Sequence, residues 1–267
     1  PFTLLSYRFV ITLLFLFLII IYKKSPWPDS RKDFFHLMIA GALIHGVYLG
    51  GVFQALKWGM PAGLGAMIIG LQPLGMALMA GVLLKERVSK KQWLGLIIGL
   101  VGLYLVLFDS LDLTRQIMFD GFPIWAVFAV IISLFAISIG TIYQKRFCSN
   151  MNLFSGPWVQ YFSASILCIV IVLFFENGEV IWSSTFILAM TWQVLALSIG
   201  AILLLMTMIK HGASASVGSY FYLVAPLVAI QAWILFGETI GLSALAGVIL
   251  ISCGVAITTS RKSLRNI

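Results

Sequence analysis

With 267 residues, of which 61% are apolar and only 10% charged, and a mean hydropathy of +1.06, the chain carries more apolar surface than one aqueous core could hide. That excludes an ordinary soluble domain. The net charge of +8 would point to nucleic acid in a soluble protein, but the basic residues sit in short loops between apolar runs and read as topology instead. The runs are about 20 residues long and continuously apolar, without the two-residue alternation of barrel strands, so the fold class is all-α integral membrane protein.

In chain order the predicted spans are 3–22, 34–56, 61–84, 92–108, 122–144, 156–175, 187–209, 213–236 and 242–260. Pro26 and Pro28 with their flanking charges mark one loop, and Asp109 to Asp120 marks another. No connection is long enough to hold a separate soluble domain. Loops 23–33, 85–91, 145–150 and 210–212 and the C-terminal tail fall on one side and carry fourteen of the 17 basic residues. The opposite side has only Lys57 and Arg115, with Arg8 inside the first span. That asymmetry predicts a cytoplasmic C-terminus, and a bacterial plasma (inner) membrane is the expected location. Cys148, Cys168 and Cys253 have no metal or redox spacing, and neither a metal nor a cofactor is expected.

The chain also repeats itself. Lys57, Gly59 and Pro73 recur as Lys210, Gly212 and Pro226, 153 positions on, and Glu86, Gly95 and Gly102 recur as Glu238, Gly247 and Gly254 at 152. Glu86 falls on the basic side and Glu238 on the other, so the two copies are inverted, as five spans per copy would make them. The expected units are residues 1–108 (four helices), 121–260 (five helices) and a basic tail, 261–267. Residues 122–147 have no counterpart in the first copy, so one further helix of about 30 residues is expected ahead of Pro1 in a ten-helix fold, with a genuine nine-span protein as the competing reading.

The stretches PFTLLSYRF at 1–9, LQPLGMALMAGVLLKERVSKKQWLGLIIGLVGLYL at 71–105 and LVAPLVAIQAWILFGETIGLSALAGVILISCGV at 223–255 resemble the EamA branch of the drug/metabolite transporter superfamily. The resemblance implies two five-helix inverted repeats around a central cavity. It says little about substrate.

Polar groups within a span are costly, so each is a candidate for function. His45 is the rarest, and Tyr48 lies one turn further on the same face. Gln72 precedes the mid-span Pro73, while Tyr222 and Gln231 flank Pro226 in the second copy. The two prolines are expected to bend their helices. His45, Tyr48, Gln72, Tyr222 and Gln231 are therefore the expected substrate-lining residues, with Pro73 and Pro226 as structural kinks. Arg8, about one turn inside the first span, could snorkel to the interface or bind an anionic group as a fork; the structural role is favoured, since the resemblance places an Arg–Phe pair there across diverse substrates. The glycine pairs Gly46/Gly50 and Gly95/Gly99 read as close helix contacts, with a homodimer face as the alternative.

No Asp or Glu reaches a span centre, which disfavours cationic drugs. No phosphate loop and no nucleophile–base pair is visible. The expectation is a secondary transporter, not an enzyme, that moves a neutral, zwitterionic or anionic metabolite, such as an amino acid, by alternating access. Its partners are then a small-molecule substrate and the bilayer, with no nucleic acid. A multi-span membrane scaffold without transport is the competing expectation.

Overall fold

The computed structural model describes residues 1–85, 87–108, 121–211, 219–223, 227 and 241–259, and the regular structure among them is helical throughout. Helix α1 is Phe2–Lys23. Helix α2 runs from Arg31–Gly41 through a π-helical segment, Ala42–Val47, into Tyr48–Lys57. Then come α3 (Ala62–Ile69), α4 (Gln72–Leu83), α5 (Lys90–Phe108), α6 (Ile124–Phe147) and α7 (Ser155–Phe175). Helix α8 has the same composite build as α2: Ser184–Trp192, π-helical Gln193–Ala201 and Ile202–His211. Helix α9 is Leu242–Thr259. Among the described residues α1, α2, α6, α7 and Ser184–Leu205 are each long and apolar enough to cross a bilayer. The chain is an all-α, multi-pass integral membrane protein. Most of the predicted span 213–236, including Pro226 and Gln231, lies outside the described residues, as do Glu86, Gly212 and Glu238.

Each helix shows why its sequence takes that form. In α1 the buried residues Leu5, Phe9, Thr12, Leu16 and Ile20 form one stripe, while Leu14, Leu18 and Ile21 are exposed on the other side, where lipid would lie. Helices α2 and α8 start three residues before the predicted apolar runs because serines cap them. The Ser30 hydroxyl accepts from Asp33 N, and that of Ser183 accepts from Phe186 N. The predicted span 61–84 is broken into α3 and α4 at Gly70–Leu71. Pro73 stands in the first turn of α4, where its missing N–H costs no helical bond.

The duplication is visible in these boundaries. Helices α1 and α7 begin at residues 2 and 155, and α2 and α8 at 31 and 184, each pair 153 apart, the displacement between Lys57 and Lys210. Even the π segments correspond, since 42–47 moved by 153 becomes 195–200, inside Gln193–Ala201.

Equivalent helices pack on each other antiparallel. At one end of the α1–α7 pair Ser155 Oγ donates to Pro26 O at 2.6 Å, and at the other Thr3 N donates to Glu176 Oε2 at 2.7 Å. Between them Trp158 Nε1 donates to Leu13 O at 3.2 Å. In the α5–α9 pair a Cβ on Gly95 would stand 2.6 Å from Gly254 O, and one on Gly102 2.7 Å from Gly247 O. Gly95 is the repeat equivalent of Gly247 and Gly102 of Gly254, so exchanging the repeats turns the Gly95–Gly254 contact into the Gly247–Gly102 contact. That reciprocal exchange is the signature of a two-fold relation, and antiparallel equivalents make the copies inverted. The backbones approach so closely only because no side chain intervenes.

Candidate functional site

The α1 stripe that packs inward brings a cation with it. Arg8 lies between Leu5 and Thr12 on that face and is 5% exposed. Its Nε donates to Ser198 Oγ at 2.8 Å, and its Nη1 donates to Gln193 Oε1 at 3.4 Å. Both acceptors belong to the π segment of α8, so the guanidinium reaches from the first repeat into the second.

Tyr161 of α7 makes the opposite crossing. Its ring stacks on His45 in the π segment of α2, with centroids 4.2 Å apart and planes 24° from parallel. Its hydroxyl donates to Ser198 O at 2.9 Å. Phe9 closes the group, 5.5 Å from Tyr161 and 6.2 Å from His45 between centroids. Next to Tyr161, buried Gln160 donates to Gln144 Oε1 at 3.2 Å and lies beside His45.

The two crossings are copies of one another. Arg8 plus 153 is Tyr161, and His45 plus 153 is Ser198. Arg8–Ser198 and His45–Tyr161 are therefore the same contact made twice, once by each repeat. The polar cluster sits where the inverted copies exchange partners, which is where transporters built from such repeats hold their sites. Both π segments contribute to it, and an extra residue per turn in a helix commonly marks a functional position.

The predicted lining residues divide. His45 is 2% exposed, and its Nε2 has no partner. Tyr48, one turn on, lies within electrostatic reach of Arg8, so these two join the cluster. Gln72, in the first turn of α4, is buried elsewhere; its Nε2 contacts Met76 Sδ at 3.8 Å. Tyr222 is buried among Leu96, Leu103 and Ile251, with its ring against Gly99 and its hydroxyl without a partner among the described residues. Gln231 lies outside the described residues. Sequence reasoning did not single out Tyr161, Gln160, Gln193 or Ser198. The 153-residue register, carried back to Arg8 and His45, picks out two of them.

A cavity of about 890 Å³ opens on the side poor in basic residues, lined among others by Thr3, Leu4, Phe53, Lys57, Glu176 and Glu179. Leu4 is one helical turn from Arg8. Lys57 and Glu176 stand 3.5 Å apart at this edge, in keeping with the side to which the charge pattern assigns both.

Comparison with known proteins agrees with this architecture. The profile of the EamA-like transporter family matches residues 1–108 and 124–260. The chain is 26% identical over 241 residues to "Uncharacterized transporter YvbV" of Bacillus subtilis, covering 89% of this chain and 73% of that protein. It is 26% identical over 218 residues to the "Probable amino-acid metabolite efflux pump" of Salmonella typhimurium, covering 77% and 70%. It is 24% identical over 257 residues to "Uncharacterized inner membrane transporter YedA" of Escherichia coli, covering 96% and 79%. A solved structure titled "Crystal structure of protein" has the same fold, with a TM-score of 0.76 at 20% identity over 97% of this chain and 87% of that one.

Proposed function

The chain belongs to the EamA-like transporter family, and from that premise we propose that it is a secondary transporter of a small neutral, zwitterionic or anionic metabolite, working by alternating access. The observation that carries this reading is the buried polar cluster at the exchange point of the inverted repeats. Each repeat offers the other one copy of the same contact, so a rocking motion can loosen one crossing while the other holds. Hydrogen-bonded groups at that depth would be costly in a bundle that only needed to pack.

His45, Tyr48, Arg8 and Tyr161 form the centre of the proposed path, and Gln72, Tyr222 and Gln231 are proposed as further lining residues on their place in the sequence alone. Energy comes from the solute's own gradient, an exchange or protons, since the sequence offers no nucleotide-binding loop. The absence of Asp and Glu from span centres disfavours cations. The Salmonella relative, named as an amino-acid metabolite efflux pump, makes amino acids the first solutes to try. The basic tail and basic loops orient the C-terminus to the cytoplasm of a bacterial inner membrane.

Reconstituted into liposomes, the purified protein is expected to move at least one member of a panel of amino acids and small organic acids faster than empty liposomes do. Rates equal to empty liposomes across the whole panel would favour a scaffold instead.

A further inference from the structure

Among the described residues Arg8 is a buried charge without a counter-charge. A guanidinium does not give up its proton under any ordinary condition, and a charge within a membrane span is costly unless paired. Among the described residues its hydrogen-bond partners are two neutral groups, Ser198 Oγ and Gln193 Oε1. They take two of its five donors, and none of the described carboxylates forms an ion pair with it. A second unmet group lies in the same cluster. His45 is almost wholly buried, and its Nε2 has no hydrogen-bond partner among the described residues. Aromatic rings of Phe9 and Tyr161 wall these groups.

One ligand chemistry meets all three conditions. A carboxylate matches the planar fork of a guanidinium with two parallel hydrogen bonds. The imidazole, protonated on Nε2, can donate a third. Aromatic walls favour an organic body behind the carboxylate over a bare inorganic anion. An amine would meet an unpaired cation at the same place and be repelled.

We infer that Arg8 is the anchor for a carboxylate on the transported solute, with His45 Nε2 as its second contact. This inference rests on the transport reading and narrows it to zwitterionic amino acids and organic monocarboxylates. The two existing bonds of Arg8 are unequal, and that inequality links binding to movement. The contact to Gln193, at 3.4 Å, is the weaker. An arriving carboxylate displaces it first and frees the start of the α8 π segment, while the Nε–Ser198 bond at 2.8 Å keeps the guanidinium in place.

The test uses matched compounds built on the side chains of leucine, phenylalanine and threonine. Each set comprises the amino acid, its amide, its decarboxylated amine and the acid lacking the amino group. Melting temperature of the purified protein is measured with each compound, alongside flux in liposomes. The expected result is stabilisation by amino acids and deaminated acids of at least one set, and none by amides or amines. Arg8→Gln should abolish the response, and Arg8→Lys should keep the preference for acids with affinity weakened by about tenfold. The comparison of acid with amide on the unmodified protein decides the matter even where an Arg8 variant fails to fold. Equal responses to acids and amides would overturn the anchor. So would flux of other solutes with no response to any acid, and either result leaves the transport reading standing. Acid-selective stabilisation with no flux of any solute would sink the transport reading and leave the anchor. No acid response and no flux would overturn both.

Discussion

His45→Leu is expected to lower solute flux by about tenfold or more, the effect of one lost hydrogen bond to a charged group, while the protein stays as heat-stable as before. Leucine keeps the apolar contacts the ring makes with Tyr161 and Phe9. It also removes a buried nitrogen that has no partner, and such a group stabilises nothing in this state. A histidine kept for packing would behave the other way, with flux intact and stability reduced. The measurement pairs initial flux in liposomes with the melting temperature of the same preparation. Undiminished flux, or a fall in flux that follows a fall in folded protein, would remove His45 from the path.

The second large effect is on stability. Gly102→Ala and Gly247→Ala are each expected to destabilise the protein by about 1–3 kcal/mol through overpacking. A Cβ on Gly102 would lie 2.7 Å from Gly247 O and 2.8 Å from Ile251 N, and one on Gly247 would crowd Val106 N at 2.8 Å. These neighbours are backbone atoms and cannot swing aside, so α5 and α9 would have to separate. The paired substitution should cost less than the sum, because helices already apart have room for the second methyl. Gly65→Ala is the control: its nearest neighbour, Met60 Sδ, lies 3.8 Å away, and alanine is the better helix former. Thermal unfolding of the four variants checks this, and a tolerated Gly102→Ala would contradict the close backbone contact.

Much of the bundle was legible in the sequence because membrane helices must be long and apolar whatever they pack against. The inversion was legible for a similar reason, since Lys57, Gly59 and Pro73 recur at a fixed displacement. The ends of α2 and α8 were less so, as Ser30 and Ser183 extend each helix by a polar turn that hydropathy does not register. The π segments carry no residue signature: ALIHGV and QVLALSIGA read as ordinary helix. In the structure Ala42–Val47 packs on α7 and Gln193–Ala201 on α1.

The polar cluster was legible in part. His45 and Tyr48 stood out as polar residues on one apolar helix face, and both lie within electrostatic reach of Arg8. Gln72 looked equivalent, yet it packs against Met76, because which neighbour a mid-span glutamine meets is decided by tertiary packing. Arg8 read as structural, and its bond to Ser198 spans 190 residues, a separation that local pattern cannot bridge. What connects them is the repeat itself, through the equivalence of Arg8 with Tyr161 and of His45 with Ser198.

Alternating access at that exchange point is tested most directly by a cysteine in place of Ser198, in a protein whose Cys148, Cys168 and Cys253 have been replaced. Ser198 is wholly buried in the present state, so any reaction with a membrane-impermeant thiol reagent reports a second one. The predicted result is labelling from both faces of sealed vesicles, at rates that change when transported solute is added. Labelling from neither face, or from one face at a rate indifferent to solute, would contradict it.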